Sequence, residues 1–139
     1  MKKLKLSLIA FFFVCCIQYV KAQQNTGKIY FIRATDYVGT LINYGFYIDD
    51  QLVCKLKNNH YSIHDVPAGE HKVSIQNRGY GKRKKSQPLT INVKEGENNY
   101  LSVGSASSLY LQEITASSAE ELLKKVAINS KCLEGEKTK

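Results

Sequence analysis

The sequence has no tryptophan, only two prolines among 139 residues, and no catalytic or cofactor-binding motif that stands above background. So little proline excludes a collagen-like chain, and a composition of 43% hydrophobic and 23% charged residues excludes wholesale disorder. A chain of this length holds one domain, which excludes a large multidomain enzyme. Helical periodicity is almost absent from residues 27–115, which excludes a coiled coil.

The first 22 residues have the pattern of a secretory signal peptide. A basic segment ends at Lys5, residues 6–20 form an uncharged and mostly apolar run, and Ala22 precedes a cleavage site before Gln23. We expect the mature protein to be exported and to be periplasmic, on the outer surface or secreted.

Two alternatives for this leader stay open. The apolar run can be kept as a membrane anchor, although it is shorter than the roughly 20 residues that span a bilayer. Cys15 or Cys16 can also be lipidated, although Val14 precedes this pair where bacterial lipidation favours a small residue.

The positive charge of the mature chain is concentrated in one segment. Four of the 20 Lys and Arg residues lie in the leader, so 16 remain against 12 Asp and Glu, and five of these 16 fall in residues 78–85. The segment is either a solvated hairpin tip or a surface for an anionic glycan, lipid headgroups or an envelope protein. No nucleic acid is expected outside the cell. The candidate binding residues are Arg78, Tyr80, Lys82, Arg83, Lys84 and Lys85.

Two of the four cysteines leave with the leader, so the mature chain keeps Cys54 and Cys132. In an oxidising compartment these two can form a disulfide that stabilises the fold by roughly 2–4 kcal/mol. Alternatively, Cys54 is a free thiol that behaves as a small buried hydrophobe.

Short segments of alternating polarity, separated by turn residues, fill residues 27–115. The run 29–32 is apolar throughout, as expected of a strand covered on both faces, whereas the later segments have one apolar side. This pattern predicts about eight strands in an antiparallel sandwich or small barrel. The predicted inward-facing sets are Ile42, Tyr44, Phe46 and Ile48; Leu52, Cys54 and Leu56; Tyr61 and Ile63; Val73 and Ile75; Leu89, Ile91 and Val93.

After residue 115 the polarity changes to a helical period. Ser117 or Ser118 is expected to cap a helix of about ten residues, with Glu120 or Glu121 as its capping-box partner. Its apolar stripe should face the sandwich, and residues 129–139 should form a flexible tail. The stripe comprises Ala119, Leu122, Leu123 and Val126.

The predicted strand after a tight Asn58-Asn59 hairpin carries most of the candidate chemistry. His60, Ser62 and His64 are expected to face solvent, but the two histidines lie about 13 Å apart along a strand, too far to share one metal ion. Ser62 has histidines near it in the sequence, but there is no strand-to-helix turn that would expose its hydroxyl as a nucleophile. A small enzyme or metal-binding protein that uses His60, His64 and Asp65 is therefore the alternative, and it requires them to line a pocket. His71 is expected to be solvated or to stabilise a turn.

Three parts of the sequence resemble a family of small exported bacterial proteins of unassigned function. They are Gly-Lys-Ile-Tyr-Phe-Ile-Arg at 27–33, Tyr-Ile-Asp-Asp at 47–50 with Lys-Leu-Lys-Asn at 55–58, and Val-Pro-Ala-Gly-Glu-His-Lys-Val at 66–73. The segment at 67–71 is also similar to the motif of the PEGA domain, a β-sandwich module of cell-envelope proteins. The resemblance covers most of residues 27–103. It implies an immunoglobulin-like or transthyretin-like sandwich in the envelope and carries over no catalytic residue.

The sequence thus predicts a signal peptide at 1–22, one mainly β domain at 27–128 and a flexible tail at 129–139. The domain is expected to be an antiparallel β-sandwich, immunoglobulin-like or transthyretin-like, of about seven or eight strands with one C-terminal helix. The expected function is an exported, non-catalytic binding or structural module of the bacterial cell envelope. No cofactor and no metal site are expected.

Overall fold

A computed structural model describes residues 25–35, 41–79 and 84–132. The predicted signal peptide and residues 133–139 of the predicted tail lie outside this part of the chain. The described residues form nine strands, one α-helix and a final 3₁₀ turn. In chain order these are β1 (Thr26–Arg33), β2 (Tyr44–Ile48), β3 (Gln51–Leu56), β4 (His60–Pro67), β5 (Gly69–Asn77), β6 (Leu89–Val93), β7 (Asn98–Ser105), β8 (Leu109–Ile114), α1 (Ala116–Leu123), β9 (Ala127–Ile128) and the turn Ser130–Cys132.

The strands form two sheets packed as a sandwich. One sheet has the order β8-β7-β1-β4-β9, and the other has the order β3-β2-β5-β6. Pairing is antiparallel except between β1 and β7 and between β4 and β9. The predicted mainly β sandwich with a C-terminal helix is therefore confirmed, and its sheets are antiparallel apart from these two pairs. The helix found in the described ranges is too short and too polar to cross a membrane.

The core lies between the two sheets. Phe31 of β1 packs on Phe46 of β2 with ring centroids 4.9 Å apart, and Val73 and Ile75 of β5 are fully buried beside them. Burying one such side chain stabilises the fold by about 1.5–3 kcal/mol, so this layer holds the sheets together. The predicted inward sides of β2, β5 and β6 lie in this layer.

The Asn58-Asn59 link is not the hairpin that the sequence predicts, because β3 and β4 belong to different sheets. Asn59 adopts a φ of 55°, as a tight turn requires, but the link carries the chain from one sheet to the other. Buried Asn58 fixes this corner, since its side-chain oxygen accepts hydrogen bonds from the backbone nitrogens of Thr35 and Asn59 at 3.1 and 3.0 Å.

The prediction for the faces of β4 is wrong. Ser62 is fully buried and His64 packs against Phe31, with ring centroids 5.7 Å apart, so the polar side faces the core. The antiparallel register with β1 sets this orientation by placing Ser62 opposite Phe31. Tyr61 lies on the other side of the sheet and is half-buried, opposite fully buried Ile32. Because both faces of this sheet bury apolar residues, alternation alone does not reveal which side faces inward.

A bulge in β3 overturns the prediction that Leu52 shares a face with Cys54 and Leu56. Cys54 pairs with Phe46, but the register shifts after Phe46, so Leu52 pairs with Tyr47 and one residue is left over. Leu52 is therefore on the outer face and 38% exposed, whereas Cys54 and Leu56 are buried in the core.

The helix begins two or three residues earlier than predicted, since the expected cap is Ser117 or Ser118. Thr115 is its N-cap, and its hydroxyl accepts a hydrogen bond from the backbone nitrogen of Ser118 at 3.3 Å. The cap is in place as soon as β8 ends at Ile114, so α1 starts at once and extends for eight residues. Of the predicted apolar stripe, Ala119 is fully buried. The other stripe residues, Leu122, Leu123 and Val126, are partly exposed.

A disulfide joins Cys54 of β3 to Cys132, 78 residues later. It anchors the chain after α1, where β9 adds two residues in parallel to the start of β4 at His60 and Tyr61. This short strand is the ninth, in addition to the eight that the sequence predicts.

Candidate functional site

The described part of the basic segment lies where β5 ends and the chain returns towards β6. Arg78 directly follows β5, and its backbone nitrogen donates to Asn43 O at 3.2 Å. Lys84 and Lys85 precede β6 and are exposed. We call the end of β5, together with Arg78, Lys84 and Lys85, the basic end. The predicted binding residues Tyr80, Lys82 and Arg83 lie outside the described residues.

The side chain of Lys85 lies across the outer face of the β3-β2-β5-β6 sheet, and its ammonium group has two partners there. Its ammonium is 2.9 Å from Asp50 Oδ1 and 4.0 Å from the centroid of the Tyr47 ring. Asp50 is held in place by the tight β2–β3 turn, where it adopts a φ of 64°. An ion pair combined with a cation–π contact thus ties the return segment to β2 and to the turn after it.

Tyr47 is the anchor of this arrangement. Although it is on the outer face, it is only 7% exposed, because Lys85 and Arg78 cover it. Its hydroxyl donates to Gln76 Oε1 at 2.7 Å and accepts from Arg78 Nη1 at 3.4 Å. A Cβ at Gly45 would lie 3.1 Å from Arg78 Cδ, so the absent side chain leaves room for arginine to lie over the sheet.

Two open grooves flank the end of β5. The β5–β8 groove has a volume of about 510 Å³ and lies between β5, the return segment and the β7–β8 turn; its lining includes Asn77, Lys84, Lys85, Gln87, Ser108 and Leu109. The β2–β3 groove has a volume of about 520 Å³ and is lined by Leu41, Ile42, Asn43, Lys55, Arg78 and Gly79. Among the described residues, neither lining includes an aspartate or a glutamate.

Arg33, which sequence reasoning missed, is fully buried beneath the basic end. Its guanidinium lies 3.5 Å from the centroid of the Tyr44 ring and donates to Ile42 O and Leu56 O, both at 2.7 Å. Burial lowers the pKa of Arg33, and Tyr44 opposes this effect. The two-residue period of β1 does predict that Arg33 faces the core, because Arg33 shares a face with Phe31.

The histidines of β4 and Asp65 each have a different partner. His60 Nδ1 lies 2.7 Å from Asn58 O, His64 Nε2 lies 3.0 Å from Ser62 Oγ, and Asp65 pairs with Lys28 at 2.6 Å. Burial lowers the pKa of His64 to about 4, and the nearby Asp65 charge opposes this shift. The structure therefore does not bring the three candidate residues to one pocket within the described ranges.

His71 connects two turns. Its Nδ1 lies 2.7 Å from Asp49 Oδ2, and its Nε2 lies 2.8 Å from Pro67 O. Because both partners are acceptors, only the imidazolium form can donate to both. Burial opposes this charge, but the hydrogen bonds to Asp49 and Pro67 outweigh it and raise the pKa of His71. This contact agrees with the turn-stabilising role that is expected from the sequence.

Across the part of the chain that the structure describes, no three His, Cys, Asp or Glu side chains converge as a metal site would require. A family model described as "Protein of unknown function (DUF2846)" matches residues 23–117. The chain belongs to the DUF2846 family. No curated protein and no solved structure matches it. The DUF2846 match contains the whole basic end and Cys54, whereas β9 and Cys132 lie beyond it.

Proposed function

We propose that this DUF2846 protein is an exported, non-catalytic β-sandwich module of the bacterial cell envelope that binds an anionic partner through its basic end. The leader at residues 1–22 and the Cys54–Cys132 disulfide support export into an oxidising compartment. The similarity of residues 67–71 to the PEGA motif supports an envelope location. Ser62 supports a non-catalytic role, because its hydroxyl is fully buried against His64 and no substrate reaches it.

The composition of the two grooves is the observation that carries this proposal. Four cations line them, and no described lining residue is acidic. Lys85 is paired with Asp50, whereas Arg78 and Lys84 are exposed and give this end its positive potential. Clefts with charge of one sign concentrate ligands of the opposite sign.

Salt-dependent retention of the exported protein on an anionic matrix tests the binding. Replacing Arg78 and Lys84 by glutamine should lower the salt concentration at which the protein elutes. The matched control replaces Lys94 and Lys125 by glutamine. These two lysines are exposed away from the basic end, and their replacement removes the same amount of charge. If both double variants elute equally early, net charge alone causes retention and the binding proposal fails.

Cell fractionation and N-terminal sequencing test the export. The envelope or medium fraction should contain a chain that begins at Gln23. A chain that keeps residues 1–22 in the cytoplasmic fraction would contradict the proposed location.

A further inference from the structure

The β5–β8 groove has walls that are fixed before any ligand arrives. The backbone nitrogen of Ser86 donates to Ile75 O at 2.7 Å, and Ile75 N donates to Ser86 Oγ at 3.1 Å, so the return segment runs hydrogen-bonded along β5. The contacts of Lys85 with Asp50 and Tyr47 hold the same segment from the other side. The free-energy cost of ordering the protein when a ligand enters this groove is therefore small.

Four residues whose side chains carry hydrogen-bond donors line this groove, and they belong to three chain segments. They are Lys84 and Gln87 on the return segment, Asn77 at the end of β5 and Ser108 in the β7–β8 turn. Asn77 Oδ1 accepts from Gly79 N at 2.9 Å, which leaves its NH₂ group to donate. Within the described ranges, none of these four donors makes a hydrogen bond or ion pair.

We infer that the β5–β8 groove binds a phosphate group, an inference that rests on the proposed function and names its ligand chemistry. Lysine is a common ligand of phosphate, which it binds as a point charge. A tetrahedral oxyanion accepts hydrogen bonds from several directions, and this groove supplies donors from three segments. Its lining has no described carboxylate to repel the ligand, and its volume of about 510 Å³ is that of a small-molecule site.

One apolar side chain of the groove favours a phosphate that carries carbon atoms. Leu109 is partly exposed and lies in the lining with the four donors, so the carbons next to a phosphodiester can pack against it. Free phosphate and the phosphodiester of a lipid headgroup share the chemistry that the donors recognise. The experiment therefore uses both.

Titration of the ¹⁵N-labelled mature chain with inorganic phosphate tests the site directly. We expect saturable shifts of the amide signals of Gln87, Ser108 and the Asn77 side chain. Lys84→Gln should weaken binding about tenfold, because it removes one charged contact. Lys94→Gln is the matched control, because it removes the same charge at a distance from the groove. Lys94 lies beside the other end of β5, where it pairs with Glu97.

Vesicles of phosphatidylglycerol and a soluble polygalacturonate distinguish the sources. Binding of phosphate alone supports the site with a soluble ligand, and binding of both phosphate and vesicles, each weakened by Lys84→Gln, supports a lipid headgroup. Shifts that never saturate, or equal effects of the two lysine variants, would overturn the phosphate site. If polygalacturonate alone binds, the phosphate site is also overturned, while the proposed function survives.

Discussion

Acid should destabilise this protein through His64 in particular. The imidazole lies on the core side of β4, where its Nε2 is 3.0 Å from Ser62 Oγ and its ring packs against Phe31. Burial lowers the pKa of His64 to about 4 from an ordinary value of 6.5, against the opposing charge of Asp65. The folded protein therefore keeps this ring neutral at a pH where the unfolded chain already binds a proton.

The sign and size of the effect follow from this difference. Because the folded pKa is depressed, the stability is fully present above pH 6.5, is lost as the pH falls, and reaches its floor below about pH 4. Each unit of pKa difference is worth about 1.4 kcal/mol. The free energy of unfolding should thus fall by about 2 kcal/mol at pH 5 and by about 3 kcal/mol at pH 4 through this group alone.

Urea unfolding of the wild type and His64→Gln at pH 7, 5 and 4 measures this contribution. The carboxylates titrate in both proteins, so the difference between the two free energies isolates His64. The stability of the wild type relative to His64→Gln should be lower by about 2 kcal/mol at pH 5, and by about 3 kcal/mol at pH 4, than it is at pH 7. A difference that stays constant with pH, or an NMR titration of wild-type His64 with a pKa near 6.5, would refute the reasoning.

Two further predictions concern other contacts. Replacing both Cys54 and Cys132 by serine should lower the free energy of unfolding by about 4 kcal/mol, because the bond closes a loop of 78 residues; an unchanged urea midpoint under non-reducing conditions would contradict this. His71→Gln should cost roughly 1 kcal/mol at pH 6. The raised pKa of His71 makes its contribution complete below pH 6.5, and this contribution is lost as the pH rises through the folded value, so wild type and variant should converge in alkaline urea titrations. A gap between them that grows with pH would contradict the imidazolium contact.

The sequence predicts the sandwich because most strands bury one side, and the inward positions of β5 and β6 follow directly from alternation. It misorients β4, since Tyr61 and Ile63 look more apolar than Ser62 and His64. Packing of β1 opposite Phe46 decides that orientation, and this contact joins residues far apart in the chain. The Leu52 error has a similar origin, because a bulge changes the period locally without a marker in the sequence.

The basic end shows the same limit for a candidate site. The charge pattern identifies the segment 78–85, but the partners Tyr47 and Asp50 approach it only through the pairing of β2 with β5. That pairing assigns different roles to adjacent lysines, since Lys85 is neutralised by Asp50 and fixes the wall of the groove that Lys84 lines. Binding strength should therefore depend on which lysine is changed rather than on the number of charges in the segment. A sequence pattern counts those charges, and the fold determines which of them a ligand meets.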